Sequence, residues 1–164
     1  MSHPVGTTGP TTRNERSLLQ KAAAAVGAVF LVVGILGFIP GITQNIYPLD
    51  FMNVDSKSTH DHLLGIFEVS VLHNIIHLLF GVAGLLMARI WSAARNYLVG
   101  GGVIYLVLWL YGLVVAKDSP ANFVPVNTAD DWLHLLLGLG MIGIGAALWN
   151  HRSTLDRSVS TRRA

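Results

Sequence analysis

Cysteine is absent from the chain. Its absence removes disulfides, thiolate metal sites, iron-sulfur clusters and thiol nucleophiles, and it leaves the redox compartment undetermined. Charge is scarce as well: Asp, Glu, Lys and Arg make up 12% of the residues against 52% hydrophobic, and they lie mostly in tails and connections. That distribution excludes an ordinary soluble domain and suits a small multi-span membrane protein. Basic residues gather near the two ends without interleaved aromatics, so the tails suit an anionic membrane surface and not nucleic acid. Missing too are a Ser-His-Asp order, a phosphate loop, an HExxH run and a glycine-rich nucleotide fingerprint. No catalytic residue is named by any of this, and a non-enzymatic role is the simpler reading.

What is present is a series of apolar runs with clear punctuation. Residues 1–16 hold Pro4, Gly6, Gly9 and Pro10 among Ser and Thr, the composition of a disordered tail. Arg13, Arg16 and Lys21 then introduce an apolar run that stops at Pro40-Gly41. It is too long for a signal-peptide core and has no small-x-small cleavage pattern, so a retained first span is expected over 18–39. The connection to Val69 carries Pro48, the acids Asp50, Asp55, Asp61 and Glu68, and the single cation Lys57. Its last part, LLGIFEV, is apolar but too short to span, which points to a re-entrant or interfacial segment capping the bundle.

Ser70 is placed to N-cap a second span over 70–89, about 20 residues, which at ~1.5 Å each match the hydrocarbon thickness. A third span is expected over 97–116, where Gly100-Gly101-Gly102 permits close approach of another backbone and Tyr105, Trp109 and Tyr111 supply bulk. A fourth, over 129–149, follows the plausible cap Thr128, with Asp130 and Asp131 in the first turn where the helix dipole favours anions. Gly138, Gly140, Gly143 and Gly145 leave it a nearly side-chain-free face. The expected fold is an all-α membrane protein: a four-transmembrane-helix bundle over 17–150, built as two tandem helical hairpins with a long first outer connection, then a basic cytoplasmic tail over 151–164. Arg13, Arg16, Lys21, Arg89, Arg95, Arg152, Arg157, Arg162 and Arg163 all fall on one side of this topology. The positive-inside rule then puts both termini in the cytoplasm, in a multi-pass protein of the plasma (inner) membrane.

The hairpins look like repeats, since His77-Leu78-Leu79-Phe80-Gly81 aligns with His134-Leu135-Leu136-Leu137-Gly138. His73 and His77 are four residues apart, hence on one helical face. His77 and His134 lie roughly 10 Å and 9 Å below the caps of parallel, diagonal helices, at one depth. Polar groups at membrane depth are costly unless satisfied, so His73, Asn74, His77, Asp131 and His134 should face inward and meet, with Glu68 and Ser70 at the edge of the same network. The plain reading is hydrogen bonding that sets helix register, with Asp131 orienting His134, in a structural or accessory subunit. The sharper reading is ligation: zinc or copper held by His73, His77, Asp131 and His134, or haem bound between His77 and His134. THDH at residues 59–62 reads as a solvated loop more simply than as extra ligands. Besides the lipid bilayer, the glycine-rich faces suit docking onto a second copy or a larger membrane complex.

GFIPG at residues 37–41, LLGIFEVSVLHNIIHLLFGVAGL at 63–85, GGGVIYL in the third span and ANFVPVNTADDWLHLLLG at 121–138 carry a resemblance. On these runs the chain resembles a family of small actinobacterial membrane proteins known only as a domain of unknown function (DUF4383-like). The resemblance implies a four-span inner-membrane protein, and it implies no activity and no binding residues. Many such relatives have a Pro after the cap, where Val71 stands here.

Overall fold

The computed structural model describes residues 17–44 and 61–161, with side chains as far as Trp149. The expected tails at 1–16 and 162–164, and Pro48, Asp50, Asp55, Lys57, Thr59 and His60 of the first connection, lie outside the described residues. Among the described residues there are four helices: α1 Leu18–Leu36, α2 Val71–Met87, α3 Trp91–Val114 and α4 Thr128–Thr161. α1, α3 and the Thr128–Trp149 part of α4 are long and apolar enough to cross a membrane, and α2 is a shorter apolar helix. Burial follows the pattern of a protein in lipid. Leu79 and Leu136 are 65% and 68% exposed, while His73 and His134 are each 4% exposed.

Local sequence explains the helix starts. Ser17 and Gln20 form a capping box, with Ser17 Oγ accepting from the Gln20 N–H at 3.3 Å and Gln20 Oε1 accepting from the Ser17 N–H at 3.1 Å. Ser70 caps α2 as its sequence suggests, accepting from the His73 N–H at 3.1 Å. α3 begins at Trp91, earlier than the expected 97, because no Gly or Pro interrupts the run from Ala88 to Tyr97 and Trp91 stacks on Trp149 at 4.2 Å. α4 runs past the expected end at 149 to Thr161, since nothing between Trp149 and Thr161 breaks a helix.

The all-α expectation is corrected at the end where α2 and α4 start. LLGIFEV, the expected re-entrant or interfacial segment, contributes to a small antiparallel sheet, β1 Thr43–Gln44, β2 Asp61–Leu63 and β3 Phe67–Val69, in the order β1-β2-β3. Leu63 pairs with Phe67, and the turn between them places Leu64 at φ 55° and Gly65 at φ 71°. Gly65 takes that left-handed conformation without a Cβ penalty. Leu63 and Val69 of this sheet are buried, and the ladder satisfies backbone groups that an irregular segment packed there would leave open.

Two tight hairpins, α1 with α2 and α3 with α4, make up the bundle. Each closes on glycine. A Cβ at Gly27 would lie 2.9 Å from the Gly81 carbonyl oxygen, and one at Gly102 would lie 2.7 Å from that of Gly138. The likeness extends along the helices. With Gly27 laid on Gly102, Leu19, Ala23, Phe30 and Gly37 fall on Ala94, Leu98, Tyr105 and Gly112, and every one of these positions is buried. At the end opposite the sheet, Gln20 Nε2 donates to the Arg89 carbonyl at 3.0 Å, which joins the start of α1 to the α2–α3 turn.

Candidate functional site

The first turns of α2 and α4 bring the polar residues together beneath the sheet. His73 is buried, and its Nδ1 lies 3.1 Å from the carbonyl oxygen of Pro125, just before α4. A carbonyl only accepts, so Nδ1 carries the proton and the other ring nitrogen of a neutral His73 is left as an acceptor. The His73 ring centre is 4.6 Å from that of His77 and 6.4 Å from that of His134. The three imidazoles thus converge. His77 rests against Phe30 at 5.6 Å and His134 against Tyr105 at 5.3 Å. Both have a buried Nδ1 with no hydrogen-bond partner.

The repeat is reciprocal in this layer. In the alignment of His77 with His134, Asp130 stands where His73 stands and Pro125 where Glu68 stands. His73 reaches across to the backbone of Pro125, and Asp130 reaches back, its Oδ2 accepting from the Glu68 N–H at 3.0 Å and the Asn127 N–H at 2.9 Å. Each half therefore ties itself to the other through equivalent positions, the mark of a two-fold contact. The α4 cap is Asn127, not Thr128: Asn127 Oδ1 accepts from the N–H groups of Ala129 at 2.8 Å and Asp130 at 3.1 Å. It occupies the place of Ser70, and that equivalence was the signal available in the sequence.

Asn74 and Asp131 are a second equivalent pair, one turn from the histidines. Asn74 fills the space a Cβ at Gly37 would need, and its Nδ2 donates to the Gly37 carbonyl at 2.9 Å. Asp131 fills the corresponding space beside Gly112, but a carboxylate has no proton to give. Lys117 supplies it, Nζ donating to the Gly112 carbonyl at 2.7 Å and to the two Asp131 oxygens at 2.9 Å and 2.8 Å. Asp131 is therefore committed to Lys117, a partner fourteen residues away that local spacing does not reveal. Glu68 and Ser70 are buried beside this layer, the first giving its backbone N–H to Asp130 and the second capping α2.

A cavity of about 120 Å³ lies between the histidines and the sheet, with His73, His77, Tyr105, Asp130 and His134 on its wall among Leu, Val and Phe side chains. Among the described residues no group of three His, Cys, Asp or Glu is arranged to hold a metal ion. The imidazoles gather, but Asp131, the fourth ligand of the expected zinc or copper set, turns to Lys117. Haem does not fit either. His77 and His134 rest on Phe30 and Tyr105, themselves 5.3 Å apart, and the cavity is below the ~150 Å³ that accommodates a single benzene ring.

A family model described as Domain of unknown function (DUF4383) matches residues 20–147, a span that includes all the residues of this site. No curated protein and no solved structure matches the chain.

Proposed function

We propose that this chain, which belongs to the DUF4383 family of domains of unknown function, is a four-span inner-membrane protein that serves as a structural or accessory subunit. The reciprocal ties between the hairpins carry this reading. His73 to Pro125 and Asp130 to Glu68 are bonds from side chain to backbone across the two halves. Such bonds fix the relative position of the two halves. With the glycine contacts inside each hairpin they make a rigid block whose outer faces are apolar, suited to lipid and to the flank of a larger membrane complex or a second copy. The His/Asp layer lies just under the outer rim.

Support for α2 as a fourth span comes from its surroundings. Its 17 residues rise roughly 25 Å, a few ångströms short of the hydrocarbon core, and the sheet roofs its start. A cytoplasmic side for both termini is supported by the pairing of Lys117, a cation of the outer connections, with Asp131, and by the exposure of Arg89 at the other end. A chain without cysteine makes the topology test direct. Ser119→Cys in intact cells should react with a membrane-impermeant maleimide and Ser92→Cys should not; the reverse pattern would overturn the orientation. For the subunit role, mild detergent extraction should leave the chain in an assembly larger than itself that Asp130→Ala disrupts. Migration as a lone monomer would reject it.

A further inference from the structure

Arg95 takes no part in the ties between the hairpins. It stands in the second turn of α3, at the end of the bundle opposite the sheet, with its guanidinium carbon 4.4 Å from the centre of the Trp149 ring. Trp149 is itself stacked on Trp91 at 4.2 Å, with 25° between the planes. A guanidinium laid on an indole face is held in one plane, unlike the free cationic tails that reach for water at most membrane edges. Its Nε is buried on the packed side, and the two terminal nitrogens are left at the surface of this half-buried side chain. No carboxylate answers them among the described side chains: Asp61, Glu68, Asp118, Asp130 and Asp131 all belong to the sheet end. Lys21 and Arg89 stand exposed at the same end as Arg95, so every charge on the described side chains there is positive.

We propose that Arg95 holds the phosphate of an anionic phospholipid, in a site built on the Trp91–Trp149 stack. The oriented guanidinium presents its terminal N–H donors side by side, the geometry that grips two oxygens of one phosphate. Ser92, one turn before it, and Asn96, next to it, are both exposed and add polar groups at headgroup depth. Charge selects the lipid class. Lys21 and Arg89 attract a headgroup of net negative charge, whereas a zwitterionic headgroup brings an ammonium that they repel. The acyl chain has a path as well: Asn96, Gly100, Val103 and Val107 follow at helical spacing, all exposed, and a Cβ at Gly100 would meet nothing within 4 Å. A chain descending from Arg95 lies along this open strip, which a free phosphate ion would not use, so the occupant is a lipid. The site rests on the membrane reading of the helices and is independent of the subunit role.

The test uses the full chain in dodecyl maltoside, titrated with palmitoyl-oleoyl phosphatidylglycerol or the matching phosphatidylcholine and read by native mass spectrometry. The wild type should keep one phosphatidylglycerol per chain, bound roughly tenfold more tightly than phosphatidylcholine. Arg95→Gln should abolish that preference, and Arg95→Lys, which keeps the charge and loses the planar fork, should lose most of it. Lys21→Gln, which only weakens the field, should cost no more than about fivefold. Should Arg95→Gln fail to fold, Arg95→Lys carries the test together with Trp149→Leu, which removes the face under the guanidinium and should behave like it. Equal retention of the two lipids by the wild type overturns the proposal. So does Arg95→Lys matching the wild type, since charge alone would then be at work. A chain that alkaline carbonate strips from membranes overturns it together with the membrane reading. The other failures leave the subunit role standing, because that role rests on the hairpin ties.

Discussion

Phe30 and Tyr105 lie 5.3 Å apart, ring centre to ring centre, each from the first helix of its hairpin and each bearing one histidine of the repeat. The two halves meet at this pair. Phe80 joins it edge-on at 4.9 Å from Phe30 and 5.5 Å from Tyr105. The aromatic cluster therefore lies beneath the imidazole layer and holds its rings in place.

Truncation at this pair should be severe. Phe30→Ala removes a buried ring and leaves a cavity, a change that costs about 3–5 kcal/mol in well-packed cores. The melting temperature in detergent should fall sharply, whereas Tyr105→Phe, which keeps the ring, should move it little. Equal melting of Phe30→Ala and wild type would show that the pair is not central.

Glycine variants should divide by contact. Gly102→Ala puts a methyl 2.7 Å from the Gly138 carbonyl oxygen, and overpacking of this kind costs about 1–3 kcal/mol. Gly140→Ala meets nothing within 4 Å and should be neutral, or stabilising by up to about 1 kcal/mol through helix propensity. Thermal melts of the two variants side by side check the order. Gly140→Ala proving the more damaging would contradict the hairpin packing.

Asp130→Ala should unfasten the sheet from α4. It leaves the N–H groups of Glu68 and Asn127 without their acceptor, at roughly 1–3 kcal/mol for an unsatisfied buried donor. Asp130→Asn keeps a carbonyl oxygen there and should recover much of the loss. Hydrogen exchange at the Glu68 amide reads this directly: fast in Ala, slow in wild type, intermediate in Asn.

The second half can be converted to the chemistry of the first. Lys117→Met strands the nearly buried Asp131 carboxylate; Lys117 is 31% exposed, so the cost should stay below the ~3–5 kcal/mol of a fully buried broken pair. Adding Asp131→Asn supplies an amide that donates to the Gly112 carbonyl, as Asn74 does to Gly37. The double variant should therefore melt above Lys117→Met alone, a non-additive pair. Should it melt lower, the equivalence of Asn74 and Asp131 is not energetic.

The apolar runs of α1, α3 and α4, the Ser70 cap and the HLLFG/HLLLG repeat were all legible in the chain, because each depends on residues close in sequence. So was the inward placement of His73, Asn74, Asp131 and His134, since polar groups among apolar neighbours have nowhere else to go. LLGIFEV was not legible as strand. An apolar run that short fits helix or sheet equally, and its assignment waits on β1, from the far side of the connection.

Partners were decided by the tertiary structure alone. Nothing near Asp131 in the chain says that it takes Lys117 while Asn74, its counterpart, needs no cation, and nothing near Asp130 names the amide of Glu68. Composition and periodicity report how favourable it is to move a side chain from water into lipid or protein, a property of the residue and its few neighbours. A hydrogen bond requires two groups within about 3 Å in the right direction, and that distance exists only after glycine-lined helices have closed on one another.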